Sequence, residues 1–197
     1  MLNVAEPGRR PILEEQFGRL YNVENPAASV FRGCTANPPL SQQAVKADPK
    51  FWEGWIHDLV QSRRDLNPKE LTWLTYKEVV KRGAQLYMPL CETTKGRFGW
   101  LSGQLDPRLF TETEQMVHDA EELALSPNVT IKVPASMQGI EVVKVLTSKA
   151  ISTNTTVCFT LPQILASANA AMEGIKIGYL ARHTKPGASA IITWVSL

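Results

Sequence analysis

The sequence has few cysteines and no long apolar run, and each shortage excludes a class of protein. The three cysteines, Cys34, Cys91 and Cys158, lie far apart without CxxC spacing, which argues against a disulfide framework or a zinc site. No apolar run reaches the roughly 18 residues that a membrane-spanning helix needs, and the N-terminus has no apolar signal segment. We therefore expect a protein of the reducing cytoplasm with no membrane partner.

Excess charge and metal-binding patterns are also missing. Lysine and arginine number 21 against 19 aspartates and glutamates, so the formal net charge is only +2 and nucleic acid is not an expected partner. His57 and His118 lie on predicted helices without paired His, Asp or Glu spacing, so no metal site is expected. Gly174 and Gly178 alone are too weak a signal for a nucleotide-binding loop.

What remains is an ordinary globular composition with a regular alternation of elements. The chain has 197 residues, 44% hydrophobic and 20% charged, which suits a single domain over residues 1–197. Short apolar runs alternate with longer amphipathic stretches, a pattern typical of an α/β protein with parallel strands. The predicted strands are 2–5, 29–35, 98–105, 129–134, 151–159 and 188–195, and the predicted helices are 11–21, 41–46, 49–63, 68–90, 107–123, 137–148 and 162–172.

Six βα units fit two architectures, an open doubly wound sheet and part of a (β/α)8 barrel of the TIM type. Polar residues within or just after the predicted strands help to separate the two. They are Asn37, Gln104, Lys132, Asn154 and Thr156. Because side chains alternate along a strand, Asn154 and Thr156 share a face, and several strands aim polar groups at a common axis. A barrel interior gathers such groups, whereas helices cover them on an open sheet. We therefore expect a barrel truncated to about six βα units.

Lys132 is the one charged residue of an otherwise apolar strand. Burying an ammonium group without a partner is costly, and such a lysine often responds with a lowered pKa, which is what a Schiff-base nucleophile needs. The commoner alternative is a lysine that is salt-bridged or that extends its ammonium group to solvent. The strand alone leaves both interpretations open.

Four motifs in order along the chain give Lys132 a context. They are 33–39 (GCTANPP), 101–108 (LSGQLDPR), 131–136 (IKVPAS) followed by Gln138 and Gly139, and 151–160 (ISTNTTVCFT) followed by Gln163. Together these motifs resemble those of the transaldolase family of class I, Schiff-base aldolases. The resemblance runs through most of the chain.

The resemblance implies a transaldolase-type transferase of carbohydrate metabolism, in the pentose phosphate pathway. Lys132 is expected to form an imine with a ketose or ketose phosphate, and a dihydroxyacetone unit is then transferred between sugar phosphates. Asn37 and Asn154 are expected to bind substrate hydroxyls, and Thr156 to hold the water that carries protons. Neither a metal nor an organic cofactor is implied.

Two single positions depart from the family pattern. Ala5 stands where the family has an aspartate that transfers protons, and losing such a group typically costs about 10²–10⁴-fold in rate. Gln104 stands where transaldolases have a glutamate, although related fructose-6-phosphate aldolases have a glutamine there. Gln104 can position a water but cannot take its proton at neutral pH. The change is compatible either with aldolase-type lyase chemistry or with loss of function.

The third departure is at the C-terminal end of the sequence, since Leu197 falls where the sixth strand of a family member finishes. The missing units include the arginines that bind the substrate phosphate, and six strands do not easily close a barrel. The options are a truncated chain, a barrel completed in a homo- or hetero-oligomer, or a rearranged sheet. Arg182, His183 and Lys185 either replace the phosphate site or form a solvated loop cluster. A catalytically impaired or non-catalytic subunit that binds sugar phosphates is therefore the alternative to an enzyme.

Overall fold

The computed structural model describes residues 25, 28, 30–182 and 193–195 of the chain. The chain divides into two compact units, Met1–Leu101 and Ser102–Leu197. The division falls within one strand, β2 (Trp100–Gln104), which begins in the first unit and ends in the second. A single domain over residues 1–197 stays a prediction.

The first unit is mostly helical. It contains β1 (Gly33–Thr35), α1 (Pro38–Ala47), α2 (Pro49–Ser62), α3 (Pro68–Thr93) and the beginning of β2. Each helix starts at a proline that follows an Asn or Asp cap, because proline suits the first helical turn and the cap side chain accepts orphan backbone N–H groups. Asn67 and Glu70 form a capping box at the start of α3, with the Asn67 backbone N–H donating to Glu70 Oε2 across 2.9 Å. The predicted helix starts at Pro49 and Pro68 are confirmed.

Aromatic side chains of α2 pack within the first unit. Trp52 is only 6% exposed and meets Trp55 edge to face, with 5.8 Å between the ring centroids. The Arg82 guanidinium of α3 lies over the Phe51 ring, 4.0 Å from its centroid. The helical spacing of the tryptophans therefore reflects packing.

The second unit carries the parallel sheet. After the end of β2 come a 3₁₀ turn (Pro107–Leu109), α4 (Thr113–Leu123), β3 (Val129–Pro134), α5 (Met137–Ser148), β4 (Thr153–Thr156), α6 (Leu161–Arg182) and β5 (Thr193–Val195). β3 pairs in parallel with β4, and β4 with β5, so that the strands lie in the order in which they follow along the chain. A doubly wound sheet reverses its strand order at a switch point, whereas a barrel keeps it sequential. The predicted α/β fold is confirmed, and the sequential order is that of a partial TIM-type barrel.

One face of β3 supplies the core of this unit. Ile131 and Val133 are fully buried, as are Val142, Val143 and Leu146 of α5. The intervening residues of β3 point to the opposite face, because side chains alternate along a strand. The helices therefore cover the apolar face, and the other face carries Lys132.

Several predicted element boundaries are wrong. β1 begins at Gly33, four residues after the predicted start of its strand, and α1 begins at Pro38, three residues before the predicted start of its helix. The predicted helix at Pro107 is only a 3₁₀ turn, and α4 begins at Thr113. Helix α6 continues ten residues beyond the predicted end at Met172, to Arg182. β4 covers only Thr153–Thr156 of the predicted strand 151–159.

Several predictions fall on residues that the structure does not describe. The predicted strand 2–5 with Ala5, the predicted helix 11–21, His183, Lys185 and Leu197 lie outside the described residues. Of the predicted strand 188–195, the described part is β5. No helix in the described ranges combines the length and apolarity that crossing a bilayer requires.

Candidate active site

Lys132 has an uncharged hydrogen-bond partner. Its Nζ donates to Gln104 Oε1 at the end of β2, across 3.4 Å, and the Lys132 side chain is half-buried. Burial lowers the pKa of Lys132, because removing an ammonium from water disfavours its charged form. Among the described residues, no carboxylate lies within ion-pair distance of Lys132. The lysine is therefore closer to a free amine than an ordinary surface lysine.

Asn154 lies beside Lys132 in the sheet. The two residues are partners in the β3–β4 register, so their side chains project from the same face. Asn154 Nδ2 donates a hydrogen bond to Ser102 Oγ of β2 across 3.1 Å, and both side chains are buried. Thr156 follows Asn154 by two residues and shares this face. The structure thus brings together four of the five predicted site residues and adds Ser102, whose role the sequence did not reveal.

Gln163, in the first turn of α6, joins the loops that follow β3 and β4. Its Oε1 accepts from the backbone N–H groups of Phe159 and Thr160, each across 3.1 Å. Its Nε2 donates to the carbonyl oxygen of Ala135 across 3.1 Å and to that of Val157 across 3.3 Å. Gln163 therefore fixes both loops at the carboxyl ends of the strands that carry Lys132 and Asn154.

The loop after β4 begins with a strained residue. Val157 has a φ of 61°, a left-handed conformation that is unfavourable for a β-branched side chain. Such conformations cost about 1–3 kcal/mol and persist where surrounding contacts determine them. The hydrogen bond from Gln163 to the Val157 carbonyl is one such contact.

The serine and glycine that follow Lys132 in its motif have local structural roles. Ser136 caps α5 by accepting from the Gly139 backbone N–H across 3.0 Å, and its hydroxyl donates to the Phe110 carbonyl across 3.1 Å. Gly139 lies so close to the end of β3 that an added Cβ would overlap the Pro134 carbonyl oxygen. The serine and the glycine therefore hold α5 tightly against the strand of Lys132.

Asn37 belongs to the first unit, where it is the cap of α1. Its Oδ1 accepts from the Leu40 backbone N–H across 2.8 Å. This bond orients the half-buried Asn37 side chain. A role in substrate binding stays a prediction for this residue.

One group of potential metal ligands lies on α4, although the sequence analysis found no paired spacing of such residues around His118. The ligand atoms of His118, Asp119 and Glu122 lie within 4.8 Å of one another. Asp119 already accepts from Gln115 Nε2 across 2.7 Å and contacts the His118 ring. The sequence shows the spacing of these three residues. The hydrogen bonds of Asp119 along α4 account for their proximity.

Comparison with known proteins adds an independent observation. The sequence profile of the family described as Transaldolase/Fructose-6-phosphate aldolase matches residues 20–196, and so includes all five predicted site residues. The chain belongs to this family. The resemblance of its four motifs to transaldolases is therefore confirmed at the level of the Transaldolase/Fructose-6-phosphate aldolase family.

Individual members of the family match over most of this chain. A transaldolase of Thermobifida fusca (strain YX) is 30% identical over 147 residues, which cover 73% of this chain and 39% of the relative. A transaldolase of Helicobacter pylori is 32% identical over 167 residues, covering 80% and 49%. One of Kocuria rhizophila is 28% identical over 171 residues, covering 85% and 44%. The chain thus spans less than half the length of these transaldolases.

Proposed function

We propose that this chain is a transaldolase-type enzyme that transfers a dihydroxyacetone unit between sugar phosphates through a Schiff base on Lys132. The observation that carries the proposal is the environment of Lys132, a half-buried amine with a lowered pKa and an amide partner. Family membership supports the same chemistry. We also propose that the enzyme acts in carbohydrate metabolism in the cytoplasm.

The first step uses the free amine of Lys132. Its Nζ loses a proton to solvent and attacks the ketose carbonyl carbon, which gives a carbinolamine. Uptake of one proton and loss of one water molecule convert this adduct into an iminium ion, which accepts electrons from the adjacent carbon–carbon bond. The lowered pKa matters because only the neutral amine has the lone pair that attacks.

The second step breaks the bond between C3 and C4 of the ketose. The C4 hydroxyl loses its proton, the C4 carbonyl forms, and the bonding electrons move to the iminium to give an enamine. The enamine carbon then attacks the carbonyl of a second aldehyde, and hydrolysis with one water molecule frees Lys132. Gln104 and Thr156 are suited to holding the water that carries the proton, since neither side chain can take a proton itself at neutral pH.

Asn154 is suited to orienting the substrate. Its amide lies beside Lys132 in the β3–β4 register, and the bond to Ser102 restricts its rotation. Positioning of this kind lowers the activation free energy by several kcal/mol in comparable sites. We propose that Asn37 makes a second contact with the substrate hydroxyls.

Gln104 favours a second candidate, aldol cleavage without transfer. With an amide rather than a carboxylate next to Lys132, the enamine can be protonated from water and released as dihydroxyacetone. The overall reaction is then that of a fructose-6-phosphate-aldolase-like lyase. The two candidates share the Lys132 imine and differ only in the fate of the enamine.

Borohydride trapping tests the shared step. The chain is treated with dihydroxyacetone or fructose 6-phosphate and sodium borohydride, and the modified peptide is located by mass spectrometry. We expect an adduct on Lys132 and none in Lys132→Ala. Lys144, which pairs with Glu141 across 2.8 Å, serves as an internal lysine that stays unmodified. The absence of an adduct on Lys132 would exclude both candidates.

Product analysis separates transferase from lyase. With fructose 6-phosphate alone, a lyase releases free dihydroxyacetone over many turnovers. A transferase releases at most one equivalent of aldehyde until an aldose phosphate acceptor is added. An adduct with neither product would instead support the impaired or non-catalytic subunit.

A further inference from the structure

A row of hydroxyl side chains crosses the sheet on the face that carries Lys132. β3 and β4 pair Ile131 with Thr153. The residues just before them, Thr130 and Ser152, therefore lie opposite each other as well. Because side chains alternate along a strand, Thr130 shares the face of Lys132.

Ser102 of β2 lies on the other side of Thr130. The Leu105 backbone N–H donates to the carbonyl oxygen of Lys132 across 3.4 Å. In a parallel ladder a residue donates to the residue before its partner, so Gln104 lies opposite Lys132, in agreement with their side-chain contact. Two residues earlier on each strand, Ser102 lies opposite Thr130. Ser102, Thr130 and Ser152 are here called the hydroxyl row.

Thr130 has a fully buried hydroxyl. Its side chain is 0% exposed, and Oγ1 has no hydrogen-bond partner among the residues that the structure describes. Ser102 and Ser152 beside it are buried too. Leaving a buried hydroxyl unbonded is costly, so nearly all such groups in folded proteins bind protein atoms or buried water. The hydroxyl of Thr130 therefore requires a partner of its own.

The spacing of the hydroxyl row suits a water molecule. Neighbouring strands lie about 4.8 Å apart, whereas two hydroxyl oxygens in a direct hydrogen bond are about 2.8 Å apart. One water that binds both oxygens bridges the larger separation, because it adds a second bond of similar length. Ser102 Oγ accepts from Asn154 Nδ2 and therefore still has its own proton to donate. A water between the two strands can accept this proton and donate to Thr130 Oγ1.

We propose that Ser102 and Thr130 hold one buried water molecule between them, and that Thr130 thereby acts as a positioning residue for Asn154. The water accepts the Ser102 proton, so a Ser102 lone pair stays directed at Asn154 Nδ2. This fixes which end of the Asn154 amide is turned to Ser102 and which is turned away. The positioning role rests on the imine chemistry proposed for Lys132, whereas the water itself does not.

Thr130→Val tests the water through stability, since valine has the shape of threonine without its hydroxyl. With a bridging water, valine removes a hydrogen bond, and the unfolding equilibrium constant in urea titration is expected to rise about three- to tenfold. A Thr130→Val chain that is as stable as the parent, or more stable, overturns the proposal.

Thr155→Val is the matched control for stability. Thr155 is also 0% exposed, and its Oγ1 has no partner among the described residues. It lies opposite Val133, however, on the face that the helices cover. Valine at position 155 is therefore expected to leave the unfolding equilibrium constant unchanged or to lower it. Equal destabilisation by both valine variants also overturns the proposal.

Borohydride trapping tests the positioning role. In Thr130→Val, the fructose 6-phosphate concentration that gives half-maximal adduct on Lys132 is expected to rise at least about threefold. The pH midpoint of trapping should stay that of the parent, because Lys132 keeps its surroundings. Thr130→Ser retains the hydroxyl and should restore the parent concentration.

The outcomes of trapping separate the positioning role from the imine chemistry. An unchanged half-maximal concentration in Thr130→Val, a shifted pH midpoint, or no rescue by Thr130→Ser overturns the positioning role. If the parent chain forms no adduct on Lys132, the imine chemistry fails and the positioning role fails with it. The urea titration then decides on the water by itself.

Discussion

Asn154 Nδ2 donates a hydrogen bond to Ser102 Oγ across 3.1 Å, between two residues 52 positions apart in the sequence. Because both side chains are buried, the bond joins β4 to β2 where water does not compete. We expect Ser102→Ala to lower the free energy of unfolding by about 1–2 kcal/mol and to weaken ketose binding. Urea titration of Ser102→Ala, Asn154→Ala and the double variant measures the coupling, and additive effects would contradict it.

Gln104→Glu is expected to move imine formation to higher pH. A carboxylate at the position of the Gln104 amide stabilises the Lys132 ammonium and raises the Lys132 pKa. Less free amine is then present at neutral pH. The pH profile of borohydride-trappable adduct measures the shift. Gln104→Ala introduces no charge and should show no alkaline shift, so a shift of equal size in both variants would disprove the electrostatic cause.

Lys132→Met is expected to stabilise the fold at neutral pH. Burial lowers the pKa of Lys132 in the folded state, so the unfolded chain binds more protons between that lowered pKa and the ordinary lysine value. The parent chain therefore gains stability as the pH rises through this window, and the advantage of Lys132→Met shrinks. Thermal unfolding at several pH values checks the trend.

Lys144→Met is the matched control for this effect. Lys144 pairs with Glu141, and a hydrogen bond with this glutamate raises the pKa of Lys144. Its removal should bring no gain in stability at neutral pH. If both methionine variants stabilise the protein equally, the gain reflects hydrophobicity and not the burial of Lys132.

Gly139→Ala is expected to destabilise the second unit strongly. The added Cβ would overlap the Pro134 carbonyl oxygen, a backbone atom that cannot move without shifting the end of β3. Overpacking of this kind costs about 1–3 kcal/mol. Gly54→Ala is the opposite case, since no atom lies within 4 Å of its added Cβ and alanine favours the helix by up to about 1 kcal/mol. Urea titration should give changes of opposite sign.

Proline and its preceding cap residue predicted the helix starts that depend only on neighbouring residues. Prolines preceded by Asp48 and Asn67 gave the starts of α2 and α3, because the cap and the first turn act within three residues. The same signal at Asp106 produced only a 3₁₀ turn. The Phe110 carbonyl there accepts from the Ser136 hydroxyl, a tertiary contact 26 residues away that no local pattern reveals.

The predicted helix ended at Met172, and the part of α6 that it omitted contains Gly174 and Gly178. In the structure they are helical positions where the α5 backbone approaches too closely for a side chain. The stabilisation from close packing offsets the helical cost of glycine. Interhelical distance is a tertiary property, so the sequence of α6 alone could not supply it.

The candidate site was predicted in part. Alternation along the strands correctly placed Lys132 and Asn154 on one face, and the register of β3 and β4 made them neighbours. Ser102 was overlooked although it lies two residues before Gln104 and therefore shares its face. Its importance depends on a contact with another strand, and serine alone is too common a residue to indicate one.

Gln163 has a consequence for redesigning substrate preference. Loops at the carboxyl ends of barrel strands are the usual segments to exchange between relatives. Here a single side chain binds the backbone of both the loop after β3 and the loop after β4. The two loops should therefore be exchanged together. In a chimera that takes only one loop from a relative, the backbone of the new loop must still bind the Gln163 side chain of this protein.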